Sequence, residues 1–196
     1  MTQTTRSSAI GPAAVTWIVL AGMIVLAALS RLIPHPPNFS PIEAVALFGG
    51  AYFAQRAWAI AVPLVAMAIS DLVLGLVNGG IYLDYFLNAH FLSIYACIAL
   101  CTLLGFGLRG HVNGARVLGY SLAGSVLFFL MTNFAVWATA NPSLAPACGQ
   151  GLGACYVAGL PFFQWTLLGT LFYSALLFGS FALLRARIPQ LRAQTA

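Results

Sequence analysis

The sequence predicts an all-α integral membrane protein of six transmembrane helices with both termini cytoplasmic, and three observations carry that prediction. Of 196 residues, 61% are hydrophobic and only 6% are charged, whereas soluble domains carry about 25% Asp, Glu, Lys and Arg. The apolar residues fall into six runs bounded by Pro, Gly, Asn or Arg. When those runs are threaded through a bilayer, the arginines sort to one side. This composition excludes a soluble enzyme, a disordered chain and a nucleic-acid-binding domain. The net charge of +5 comes from arginines spread along the chain, not from a basic face suited to phosphates.

A helix needs about 20 apolar residues to span the hydrocarbon core. The first run, Ala14 to Ile33, meets that length and continues past Arg31 without a small-residue cleavage pattern, so it reads as a span and not as a signal peptide. The second, Pro41 to Ala54, is short. The others run from Ala57 to Val77, Phe86 to Leu108, Val117 to Ala140 and Pro161 to Leu184. Residues 1–13 and 185–196 are then cytoplasmic tails flanking one membrane domain, 14–184.

Short cytoplasmic loops are enriched in Lys and Arg, and Lys is absent here. With six spans, Arg6, Arg56, Arg109, Arg116, Arg185, Arg187 and Arg192 collect inside, and only Arg31 lies near the outer side. If the short second run did not cross, Arg56 would fall outside and the later loops would invert.

The acids go the other way. Glu43, Asp71 and Asp84 all fall toward the outer side. Asp71 sits within the third run, where a carboxylate is costly and normally faces a cavity, a partner or a substrate path; the alternative is that it pairs with Arg31 or caps a helix end. The first outer loop, from Pro34 to Pro41, has four prolines in eight residues, which stiffen it. Ser40 is placed to N-cap the second helix, with Pro41 at its first position and Glu43 in its first turn. The loop is either a rigid lip over a site or a stiff connector. The next outer loop, from Asn78 to Asn88, carries Tyr82, Asp84 and Tyr85, with His90 just beyond; such groups suit a polar ligand, and tyrosines also anchor at interfaces. The longest outer loop, from Asn141 to Leu160, is placed to act as a lid.

Cys148 and Cys155 lie in that last loop, where an oxidising compartment would permit a disulfide, and the sequence leaves open whether they pair. Cys97 and Cys101 share a helix face with His90; the stripe is either a soft-metal site or buried small residues. Ala46, Gly50 and Ala54, like Ala57 and Ala61, follow a small-xxx-small spacing that permits close helix contact, inside this protein or with another. No nucleophile elbow, zinc-protease motif or P-loop is present, and the sequence predicts no enzyme.

The stretch from Pro34 to Phe53, PHPPNFSPIEAVALFGGAYF, resembles the signature of a bacterial membrane-protein family, supported by Val62-Pro63-Leu64 leading to Ser70-Asp71-Leu72, by Thr132-Asn133-Phe134-Ala135-Val136-Trp137, and by Cys155-Tyr156 with Pro161-Phe162-Phe163. That family in turn resembles the substrate-binding S components of energy-coupling-factor vitamin transporters, including solitary ones that take up cobalamin. The resemblance implies an S-component-like six-helix fold in the bacterial inner membrane, with a ligand pocket roofed by the outer loops. It implies a vitamin-sized solute, cobalamin or a related corrinoid, as transported ligand and not as an intrinsic cofactor. The partners implied are the lipid bilayer and an energy-coupling ATPase module, with no nucleic acid.

On this reading His35, Asn38, Asp71, Asn78, Asp84, Tyr85 and His90 supply polar ligand contacts, Trp137 and Phe162 supply apolar walls, and Cys97 or His90 would ligate the cobalt of a bound corrinoid. The competing expectation is a non-transporting structural or assembly protein whose outer loops contact another protein.

Overall fold

The computed structural model describes residues 11–79, 89–139 and 145–191, with residues 89 and 90 described by backbone only. Arg6, Tyr82, Asp84, Tyr85, Asn88, Arg192 and the His90 side chain therefore lie outside the described groups. Among the described residues six α-helices follow in order: α1 (Pro12–Leu29), α2 (Ile42–Tyr52), α3 (Arg56–Asn78), α4 (Ala89–Gly105), α5 (Gly114–Thr139) and α6 (Leu152–Arg187). Among the described residues there is no strand.

Five helical segments are long and apolar enough to cross a membrane; α2 is a shorter apolar helix. Their outer surfaces stay apolar, with Leu26, Leu76, Val157 and Leu183 each exposed by about two thirds or more. In water so extended an apolar surface would drive association; facing acyl chains it needs no partner. The chain is a multi-pass helical membrane protein.

The central element is the shortest one. α2 has 11 residues, about 16 Å at 1.5 Å per residue, and every one is buried. Its glycines let neighbouring backbones close in. A methyl group added at Gly49 would meet the Pro63 ring of α3 at 2.7 Å, and one added to Gly105 of α4 would meet the Leu47 carbonyl oxygen at 2.6 Å. The opposite face is aromatic: the Phe48 ring lies 5.3 Å from Phe178 and 5.6 Å from Phe181 of α6, and Tyr52 lies 4.5 Å from Phe181. Helix association in lipid gains little from the hydrophobic effect and relies on such close contact. The small-residue spacing of α2 therefore serves internal packing, at least at Gly50, whose added methyl group would run into the Thr102 carbonyl of α4.

α1 and α3 run parallel. Near their starts the Trp17 ring is 5.7 Å from Trp58; near their ends Arg31 bonds Asp71. The segment between them, including α2, runs back the other way. α4, α5 and α6 alternate in direction: the Arg109 guanidinium, just past α4, donates to Gly50 O at 2.9 Å and Phe53 O at 2.8 Å at one end, while Tyr95, near the start of α4, reaches Asp71 at the other. Five of the six described arginines, Arg56, Arg109, Arg116, Arg185 and Arg187, consequently sit at one end of the bundle, and Arg31 sits at the other.

The structure differs from the sequence expectation in two places. α6 starts at Leu152 and carries Pro161 inside it, where Pro161 had marked the start of the span. Proline is tolerated inside membrane helices because other groups satisfy the freed carbonyl. Pro41 and not Ser40 is the N-cap of α2; Ser40 Oγ accepts from Ile42 N at 3.5 Å, a weak contact.

Candidate functional site

At the end opposite the arginine cluster, the bundle encloses an open cavity of about 640 Å³. Its roof is the proline-rich loop. Phe39 N donates to Pro36 O at 3.1 Å and Asn38 has φ 66°, the arrangement of a type II turn with Pro37 and Asn38 as its central residues. Asparagine is among the few residues other than glycine that adopt this left-handed conformation readily. The turn aims Phe39 into the bundle, with its ring 5.7 Å from Phe172 and 5.9 Å from Tyr173 of α6. Ser40 lies against α6 where Gly169 carries no side chain; an added methyl group there would meet Ser40 N at 2.8 Å. Proline supplies no N–H, so a loop rich in it enters the bundle with few donors to satisfy.

Arg31, His35, Asn38, Ser40 and Glu43 line the cavity from this side, and Thr132, Asn133 and Thr166 line it from α5 and α6. Phe128, Phe129, Phe162 and Phe163 form an aromatic wall, with the Phe129 and Phe163 rings 4.8 Å apart. Asn133 donates to Phe129 O at 2.8 Å, and Gly159 leaves room for its amide. The Cys148–Cys155 disulfide clips the turn before α6 onto its first turn, resolving what the sequence left open, and Tyr156 OH donates to Leu130 O at 2.9 Å. The Tyr156 bond ties α5 to α6 beside the cavity.

Asp71 does not border the cavity. One oxygen accepts from Arg31 Nη1 at 2.5 Å and the other from Tyr95 OH at 2.8 Å, the pairing with Arg31 that was the alternative reading. Through that pair Asp71 positions Arg31 at the cavity edge. Asn78 is exposed and donates to Leu74 O in its own helix. Trp137 is part-exposed, with its ring 5.6 Å from Phe134, and does not line the cavity. Cys97 is buried on α4 and is not among the lining residues. His35, Asn38 and Phe162 do line it.

Sequence reasoning missed Glu43 as a site residue, along with Thr132, Asn133, Phe129, Phe163 and Thr166. Glu43 is 1% exposed and lines the cavity, and its Oε1 has no hydrogen-bond partner. A signal was present: the neighbours of Glu43 are Ala44, Val45, Ala46, Gly49 and Gly50, a composition that invites close contact on all sides and so buries any acid among them.

The lining offers donors, acceptors and ring faces together, as small-molecule sites do. Among the described residues no group of three His, Cys, Asp or Glu side chains is arranged for a metal ion. No curated protein and no solved structure matches the chain. Residues 12–191 match the model of DUF6580, a family of unknown function, and the chain belongs to that family.

Proposed function

We propose that the protein captures a vitamin-sized solute in this cavity from the outer face of the bacterial inner membrane and serves its uptake. The observation that carries the reading is the cavity itself. Ligand sites measure about 300–1,000 Å³ and combine apolar walls with a few converging polar groups, and 640 Å³ with this lining falls within that range. Phenyl faces beside Arg31, His35, Asn38 and Asn133 suit a flat ring bearing polar substituents. A corrinoid, with its macrocycle and nucleotide arm, exceeds a drug-sized ligand, and Cys97 lies outside the lining; we therefore favour a smaller solute of the same vitamin class.

In our reading the chain crosses six times with both termini cytoplasmic. The parallel run of α1 and α3 supports a return crossing through α2, and irregular backbone at membrane depth is tolerated where it lines a cavity, as the proline-rich loop does. Arginines gather at the opposite end, as cytoplasmic loops require, and a disulfide at the cavity end suits an oxidising exterior. The sequence carries no nucleotide-binding motif, so an ATPase partner or a gradient would supply the energy.

A melting-temperature screen of vitamin-sized solutes, cobalamin included, tests the reading on detergent-purified protein. A bound solute raises the melting temperature of the wild type by mass action and leaves Thr132→Trp, whose ring intrudes into the cavity, less shifted or unshifted. Equal shifts in both, or none across the panel, would contradict it.

A further inference from the structure

We propose that Glu43 is a proton-binding site on a polar path joining this cavity to a second one at the arginine-rich end, so that the protein passes protons across the membrane. The proposal goes beyond solute capture and rests only on the membrane placement proposed above.

The second cavity, about 460 Å³, lies between α5 and α6 and reaches the loop at Asn113 and the end of α6 at Arg185; Ser121 and Ser174 line its inner part. Thr166 lines the first cavity and Ser174 the second. Eight residues of helix separate them, about 12 Å at 1.5 Å per residue, against roughly 30 Å of hydrocarbon. The barrier between the cavities is thin, and it is not apolar. Thr166, Thr170 and Ser174 recur every fourth residue on α6, and Ser121 and Ser125 do so on α5, so each set shares one helix face. All five are buried. Ser121 Oγ donates to Ser174 Oγ at 2.8 Å across the helix pair.

Two buried side-chain polar atoms among the described residues lack a hydrogen-bond partner, Glu43 Oε1 and Ser125 Oγ. Glu43 borders the first cavity and Ser125 lies between the two. Buried polar atoms are normally satisfied, and an exception calls for an explanation such as an exchangeable proton or entering water. Thr170 Oγ1 donates to Thr166 O at 2.9 Å, which leaves its lone pairs free to accept. Among the described residues no ion pair is formed by Glu43: α4 presents the Cys97 and Cys101 thiols, α5 Gly124 and α6 Thr170, while Arg31, on the cavity lining with His35, is paired with Asp71.

Transfer breaks the Glu43 O–H bond as a new O–H bond forms on the next oxygen, a hydroxyl or a water drawn from either cavity, which releases its own proton onward. The carboxylate left behind takes the next proton from the first cavity, and every group returns to its starting state.

The test is proton flux into vesicles of the reconstituted full chain, driven by a potassium diffusion potential and read by an internal pH dye. Wild-type vesicles should acidify faster than protein-free ones. Glu43→Gln should abolish the difference, and Thr170→Val should reduce it severalfold while both variants keep the wild-type elution profile and melting temperature. Wild-type flux equal to that of empty vesicles, or undiminished flux in Glu43→Gln, overturns the proposal. Should the variants lose melting temperature and not flux, the hydroxyls are structural glue between α5 and α6 and the proposal also falls. A solute shift in the melting screen is independent of these outcomes, so either reading can fail alone.

Discussion

The two ends of α2 are built on opposite terms. At its C-terminal end polar groups are tied down: Arg109 donates to the Gly50 and Phe53 carbonyls, which a helix terminus otherwise leaves free, its guanidinium lies 4.3 Å from the Phe106 ring centre, and Phe48 and Tyr52 pack against aromatic rings. At its N-terminal end the N-cap Pro41 offers no side-chain bond, and Glu43 keeps an unpartnered oxygen beside an open cavity. One end is built for stability and the other leaves groups available, although they are only three turns apart on one helix.

That contrast can be broken from the closed end first. Phe48→Ala removes a fully buried ring and should cost about 3–5 kcal/mol, read as a large fall in melting temperature or loss of a monodisperse peak. Gly50→Val pushes a side chain into the α4 backbone, which cannot swing away as a side chain would, and should cost about 3 kcal/mol. Arg109→Ala leaves two buried carbonyls without their charged donor and should cost about 2 kcal/mol, with Arg109→Lys recovering only part because it lacks the forked geometry. At the open end Glu43→Gln should shift the melting temperature by no more than the equivalent of about 0.5 kcal/mol, because Oε1 has no bond to lose and the amide keeps the volume and an acceptor oxygen. A strong destabilisation by Glu43→Gln would show that the open end is structural after all.

Much of this was legible in the sequence and some was not. Run length gave the long apolar helices, since a stretch of about 20 apolar residues is what a membrane-crossing helix needs. The length of α2 made it look peripheral because length rules assume contact with lipid; it is walled by five other helices, and nothing local to residues 42–52 states how many neighbours it has. Asp71 stood out because a carboxylate in an apolar run is conspicuous, yet its partner Arg31 is 40 positions away, and only tertiary structure shows both oxygens occupied. Glu43 drew less notice because an acid in a first helical turn already has a local explanation in the helix dipole. The aromatic wall was equally hidden: Phe128, Phe129 and Phe163 are unremarkable in an apolar chain until α5 and α6 bring them around one space.

The central claim is that the cavity end and the arginine end face opposite sides of the membrane, with the cavity outward. Labelling spheroplasts with a membrane-impermeant maleimide tests it most directly, using Asn38→Cys at the cavity and Asn113→Cys at the far end. The native cysteines stay silent, because Cys97 and Cys101 are buried and Cys148 and Cys155 are bonded to each other. Asn38→Cys should react in intact spheroplasts, and Asn113→Cys only after permeabilisation. The reverse pattern, or reaction of both from outside, would contradict it.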